Sequence, residues 1–389
     1  MERGSSGSGG VLLHLDVHVD EEKPSLGILE LLDTLRPQWK TKDIQMKASG
    51  SYNCLIKCNV FTEGITNRLT GCYVGSLQEP GCCVLVRIYG RNTELYVDRQ
   101  REVEMFQVLQ AHGCGPLIFC TFHNGICYEF VRGEVLDDQL LRQPSIYRLI
   151  AAEMGRIHSI KPQNGQPAEA LLWSKMSHLL TLVKNNIGEC ADNQSPQDVP
   201  GLPSLQVLSD EMETLKRHLS DTFSPVVLCH NDLLTKNIIY NHKEGTVKFI
   251  DYEYADYNYQ AFDIGNHFNE FAGLSDMDYS RYPSRELQRE WLTAYLESYS
   301  QATGRPASAT EGEVTTLYIQ ASNFYWGLWA ILQSHFSSID FDFKRYAMDR
   351  LNFYFKKKGA YFKLTEAVCG NHHNSGMVKV NFIEEEQEV

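Results

Sequence analysis

Three polar residues interrupt two apolar runs in the stretch VVLCHNDLLTKNIIYN, with the spacing H-x-D-x4-N: His230, Asp232 and Asn237. A further aspartate, Asp251, closes the apolar run TVKFI nineteen positions after Asp232. Phosphoryl transfer from ATP asks for few groups: a residue to orient the attacking hydroxyl, ligands for Mg2+, and cationic or amide donors around the phosphates. Protein kinases meet that demand with H-R-D-x4-N followed by D-F-G. Asp232 would accept a hydrogen bond from a substrate hydroxyl and take its proton late in the transfer. Asn237 would offer Mg2+ an amide oxygen and Asp251 a carboxylate, the hard ligands that ion selects. The competing account is a tight turn whose Asx side chains cap the backbone. Asp251, placed after a strand-like run, tips the balance towards catalysis.

Such a loop needs a frame, and 389 residues suffice for one large two-lobed domain or two ordinary ones. With 43% hydrophobic and 22% charged residues the composition is that of a soluble globular protein. No apolar run approaches the ~18–20 residues of a membrane span. The net charge of −13 argues against nucleic acid and suits a cationic small molecule. The eleven cysteines lack zinc-type C-x2-C pairs, and Cys127 and Cys229 lie within apolar runs. They read as small hydrophobes in a reducing compartment, so a cytoplasmic location is expected. The start, MERGSSGSGG, has no apolar signal core and reads as the beginning of a flexible leader over 1–20.

Residues 21–131 have the order of a small sheet carrying a helix. SLGILELLDTLRPQW is helical, with Leu26, Leu29, Leu32 and Leu35 three apart before Pro37. CCVLVRIYG is a β-rich run, DRQREVEMFQVLQAHG a helix ending at Gly113, and His123-Asn124-Gly125 a hairpin turn. A hinge falls near Glu129–Gly133. Residues 132–360 are mainly helical, as in PSIYRLIAAEMGRIHSI, where Ile146, Leu149, Ile150, Met154 and Ile157 share a face. The expected class is α+β, a two-lobed protein-kinase-like fold with its ligand between the lobes. Residues 361–389 are expected to be a variable, disordered tail.

Two segments, CHNDLLTKNIIYN and FIDYEYADYNYQAFDIGNHFNEF, closely resemble choline/ethanolamine kinases, and the wording is nearest to the ethanolamine kinases. The resemblance covers most of residues 60–355. It implies ATP and Mg2+, ethanolamine as the phosphorylated amino alcohol, phosphoethanolamine as product, and the first step of the phosphatidylethanolamine branch of phospholipid synthesis. Arg87, the lone charge in VLVRIYG, would by resemblance replace the kinase strand lysine and hold ATP phosphates. The alternative is an edge arginine facing solvent. Glu102 would pair with it; Glu104, two positions along, belongs to another helix face. TEGITN resembles the phosphate-covering turn, with Gly64 allowing close approach and Asn67 bonding nearby. The hinge residues Glu129 and Val131 would offer backbone groups to adenine. Asp263 would accept backbone N–H bonds and steady Asp232.

In related choline kinases a W-x-x-W pair walls the amine pocket, which assigns that role to Trp326 and Trp329. Helical aromatic spacing alone would more often mean core. Tyr252, Tyr254 and Tyr257 are further pocket candidates. Glu270 would be the carboxylate that favours ethanolamine, whose three N–H donors choline lacks.

Residues 45–58 read as an insertion, and the helix entering the tryptophan pair falls about six residues short of the family's run. Losing six would turn the upstream face by ~240°, so a bend or loop is expected there. The rival readings are a choline kinase, an aminoglycoside phosphotransferase with a wide acidic pocket, and a catalytically impaired kinase-fold partner subunit. A homodimer is compatible with all of them.

Overall fold

The computed structural model describes residues 11–39, 56–61, 67–77, 79, 81–162, 165, 167–189, 201–220, 222, 224–304, 311–337 and 339–372. The chain opens with β1 (His14–Leu15), α1 (Ser25–Leu35), β2 (Lys57–Phe61), β3 (Arg68–Tyr73) and β4 (Cys83–Ile88). Then come α2 (Arg99–Ala111), β5 (Ile118–Phe122) and β6 (Gly125–Glu129). These strands form one sheet in the order β1-β5-β6-β4-β3-β2, antiparallel except for the parallel pair β1–β5.

The sheet explains the sequence of β4, which is buried along its whole length. Val84, Val86 and Ile88 pack with Ile28, Leu31 and Leu32 of α1, while Leu85 packs with Phe106 and Leu109 of α2. Side chains alternate along a strand, so Arg87 shares the Leu85 side. The β5–β6 hairpin closes tightly beneath it, because a Cβ at Gly125 would collide with the carbonyl oxygen of Arg87. Asp98 caps α2 by accepting from the Arg101 amide at 3.0 Å.

The helix expected before Pro37 is present as α1, with Gly27, Ile28, Leu31 and Leu32 buried and Leu26 exposed. One expectation fails here: the flexible leader is not a leader throughout. Leu15, Val17 and Val19 alternate inward as β1 and the segment after it, and Val17 and Val19 are buried against α1. Of the suggested insertion, residues 45–55 lie outside the described residues, whereas Lys57 and Cys58 belong to β2.

After the hinge the chain forms β7 (Glu134–Val135), α3 (Asp138–Leu141), α4 (Pro144–His158), α5 (Leu172–Glu189) and α6 (Leu205–Ser220). Next are β8 (Val226–Cys229), β9 (Ile238–Asn241), β10 (Thr246–Phe249) and β11 (Asp256–Tyr259). The chain then runs through α7 (Gln260–Asn269), α8 (Arg285–Thr303), α9 (Glu311–Phe336) and α10 (Phe343–His372). This is a protein-kinase-like α+β fold, with the sheet lobe first and the helical lobe second. The core of α5, α6, α9 and α10 is separate from the one that α4 and α8 share with the sheet lobe.

The helix holding Trp326 and Trp329 is a single run from 311 to 336, so the bend expected there is absent from α9. The tail expectation fails in part as well, since α10 crosses residue 360 and reaches His372. Residues 373–389 lie outside the described residues. No helix among the described residues is long and apolar enough to cross a membrane.

Candidate active site

The loop 230–237 is held at both ends by antiparallel pairs. β8 pairs with β11, Cys229 opposite Asp256, and β9 pairs with β10, Ile238 opposite Phe249. The loop after β8 and the loop after β10 therefore lie side by side, which brings Asp232 and Asp251 together despite their separation in sequence. Both turns are sharp. Asn231 has φ 66° and Asp251 φ 63°, the left-handed region that non-glycine residues enter at a cost and that often marks functional loops.

Asp263, fully buried in the first turn of α7, fixes the first loop. Its Oδ2 accepts from the His230 amide at 2.9 Å and its Oδ1 from the Asn231 amide at 2.7 Å. His158 adds a third bond to Oδ2 at 2.9 Å. Burial pushes this carboxyl up, but the hydrogen bond and charge of His158, with help from His230, hold it below the usual carboxylate range. His158, Cys229 and Asp263 could in principle ligate a metal, yet this bonding already accounts for the aspartate and the histidine.

Asn237 donates to the Asp232 carbonyl at 2.9 Å and to Asp232 Oδ2 at 3.5 Å. Its amide nitrogen is thereby committed to the loop, leaving the oxygen as the end for a cation. The Asp232 carboxyl is pushed well above the usual range by burial, then by the charges of Glu270, Asp251 and Glu253, with Arg350 opposing. A carboxylate of raised proton affinity suits a group that accepts a proton late. Burial and Glu253 push Asp251 up to about 6 against the pull of Arg87 and Arg99.

Arg87 is buried on an inner strand, not exposed at an edge. Its Nη1 donates to Asp251 Oδ1 at 2.5 Å, and its Nη2 meets Glu102. Glu102 is buried while Glu104 points to solvent and pairs with Arg101, as the 200° between positions two apart requires.

Asn67 joins the same network, donating to Glu253 Oε2 at 3.0 Å, and its Oδ1 accepts from the Gly90 amide at 3.3 Å. Gly64 lies outside the described residues. At the hinge, Glu129 and Val131 are half-buried, and the Glu129 carboxylate accepts from the Leu117 amide at 3.2 Å. Phe61 stacks on Phe130 across the same edge, with ring centroids 6.3 Å apart.

The aromatic end is compact. The rings of Trp326 and Trp329 lie edge to face at 5.3 Å, and Tyr254 meets Trp326 at 5.4 Å. Trp326 Nε1 donates to Asn266 Oδ1 at 2.7 Å and Trp329 Nε1 to Tyr254 Oη at 3.0 Å. Tyr252 and Tyr257 do not join this group. Tyr252 is core and donates to the Cys114 carbonyl, and Tyr257 lies under Arg101. Glu270 is buried, and its Oε1 accepts from Arg350 Nη2 at 2.5 Å.

Three residues absent from the reading of the sequence are central. Glu253 accepts from Arg99 Nη1 at 3.0 Å, and the same nitrogen donates to Glu102 at 2.9 Å. Glu253 stands two positions after Asp251 in IDYEY, a spacing that could have flagged it. Arg99 has no such signal, being one of several charges in a polar helix start. Arg350 did have one: it is a lone charge on the apolar stripe of Ala347, Leu351 and Tyr354, the same mark that singled out Arg87.

Asp251, Glu253 and the Asn237 amide each offer an oxygen, the ligand type that Mg2+ takes. The buried Nε atoms of Arg87 and Arg99 have no hydrogen-bond partner among the described residues, as donors awaiting phosphate oxygens would.

A family model for choline/ethanolamine kinases matches residues 58–355. Ethanolamine kinase 1 of Mus musculus is 50% identical over 353 residues, covering 88% of this chain and 93% of that protein. Ethanolamine kinase 2 of Homo sapiens is 48% identical over 351 residues, covering 89% and 84%. The solved structure of a Plasmodium vivax ethanolamine kinase is similar at a TM-score of 0.71 and 26% identity, covering 86% of this chain and 89% of the other.

Proposed function

The chain belongs to the choline/ethanolamine kinase family, and from that premise we propose that it transfers the γ-phosphoryl group of ATP to the hydroxyl of ethanolamine, releasing phosphoethanolamine and ADP. The observation that carries this reading is the proximity of a proton-accepting carboxylate, Asp232, to a small aromatic site containing a buried glutamate. A two-carbon amino alcohol fits that arrangement. Its ammonium would lie against Trp326, Trp329 and Tyr254, with Glu270 as counter-charge, and its hydroxyl would reach Asp232.

Asp232 orients the hydroxyl and takes its proton as the O–P bond forms. Arg87, kept in place by Glu102, binds phosphate oxygens. The hinge backbone at Glu129 and Val131 receives adenine. Asn237, Asp251 and Glu253 hold Mg2+, which when bound offsets the negative charge of the phosphates. The expectation of an impaired subunit leaned on the shortened helix before Trp326; the intact Asp232, Asn237 and Asp251 and a continuous α9 favour the active reading. The reading extends to the first step of phosphatidylethanolamine synthesis in the cytoplasm, without a nucleic-acid partner. The net charge of −13 and the buried free cysteines are consistent with it.

The test compares initial rates on ethanolamine, its N-methylated series and choline. Turnover should be fastest on ethanolamine, fall with methylation and vanish in Asp232→Ala. ATP binding without amine-dependent turnover would replace this reading with that of a silent kinase fold.

A further inference from the structure

Arg350 reaches the amine end of the site from behind. It lies on α10, fully buried, and all three of its guanidinium nitrogens are engaged. Nη2 donates to Glu270 Oε1 at 2.5 Å, Nε to Tyr346 Oη at 3.0 Å and Nη1 to Asn323 Oδ1 at 3.4 Å. Asn323 also accepts from Tyr279 Oη at 2.6 Å and donates to Asn269 Oδ1 at 3.2 Å. Asn323 stands three residues before Trp326 on α9, and Asn269 directly precedes Glu270. One guanidinium thus ties α10 to the tryptophan helix and to the turn that carries Glu270.

A buried cation beside a site for a cationic substrate would repel it. The ion pair with Glu270 resolves the conflict, because a carboxylate held by a guanidinium that is engaged at all three nitrogens cannot drift and its second oxygen is left over. Glu270 Oε2 accepts no hydrogen bond among the described residues. We propose that Arg350 is a positioning residue for the amine: it locks the Glu270 carboxylate so that its remaining oxygen meets the N–H donors of a primary ammonium. The inference rests on the amine-phosphorylating reading above and deepens it.

The experiment is a double-mutant cycle on the full chain: wild type, Arg350→Met, Glu270→Gln and the double variant. Ethanolamine, choline and ATP are varied in turn. Arg350→Met is expected to raise KM for ethanolamine about tenfold, with a smaller change for choline, which has no N–H to lose, and KM for ATP within about twofold. In the Glu270→Gln background the same substitution should change KM for ethanolamine less than about twofold. Equal effects in the two backgrounds, or equal effects on the two amines, overturn the proposal. Arg350→Lys, which keeps the charge but loses the fork, runs through the same cycle if the methionine variant does not fold. A wild-type chain without ethanolamine-dependent turnover sinks the functional reading and this inference with it. Wild-type turnover with multiplying mutant effects counts against Arg350 alone.

Discussion

Arg87 Nη1 donates to Asp251 Oδ1 at 2.5 Å, joining an inner strand of the sheet lobe to the loop after β10 in the helical lobe. The same guanidinium meets Glu102 from α2, so one side chain bridges three elements. A lysine offers a single nitrogen on a flexible stem and cannot hold two carboxylates in one plane. Arg87→Lys should raise KM for ATP by about tenfold or more while KM for ethanolamine stays within about twofold. Steady-state kinetics with each substrate varied separately would check this.

The Asp251 carboxyl, pushed up to about 6 by burial and Glu253, must be ionised to hold a divalent cation. The half-saturating Mg2+ concentration should therefore be flat above neutrality and climb as pH falls through about 6, well above where an ordinary aspartate protonates. Glu253→Gln removes the like charge that raises Asp251, so the climb should begin at lower pH. Chelation with EDTA should abolish turnover in every variant, and Mg2+ titrations between pH 5.5 and 8 would follow the shift.

Asp232 carries a cost at neutral pH. A carboxyl whose folded affinity for protons exceeds its unfolded one costs nothing below the unfolded pKa. It destabilises progressively as pH rises through the folded value. Asp232→Asn should lower kcat by roughly 10²–10⁴-fold and yet raise Tm at pH 7.5 by about 2 °C or more. The gain should shrink on acidification. Thermal melts at several pH values, beside rate measurements, test both halves.

Asp263 behaves in the opposite sense. Its carboxyl is held below the usual range, so its stabilising contribution is complete above the unfolded pKa and is lost as pH falls through the folded value. Asp263→Asn should cost on the order of 3 kcal/mol at pH 7, because two backbone N–H groups and His158 lose their anionic partner. The difference from wild type should narrow below about pH 4. Urea denaturation at two pH values decides it.

Trp329 donates to Tyr254 Oη and lies edge to face on Trp326. Trp329→Leu should raise KM for ethanolamine by about 2–30-fold through loss of one cation–π contact, leaving KM for ATP unchanged. An equal loss for both substrates would mean that the indole supports the fold and does not touch the amine.

Local signals carried the sequence reading furthest. H-x-D-x4-N occupies one loop, so its spacing is set by that loop and is visible in a single stretch. Glu102 could be separated from Glu104 because a helix turns by a fixed angle. Arg99 carries no local mark, and its partner Glu253 lies far along the chain; Arg350 carries one, a lone charge on an apolar stripe, but nothing local names Glu270 as its partner. The leader was misread because its glycine-rich start masked the alternation of Leu15, Val17 and Val19, which gains meaning only beside β5.

Because the counter-ion of Glu270 resides on α10, the last helix among the described residues, the order of synthesis has a bearing on competence. A ribosome that has released everything through Trp329 has made every carboxylate of the reaction and both indoles, yet the amine site still lacks its clamp. Premature termination or an exon change just upstream of α10 would leave a protein that passes a motif search and handles its amine poorly.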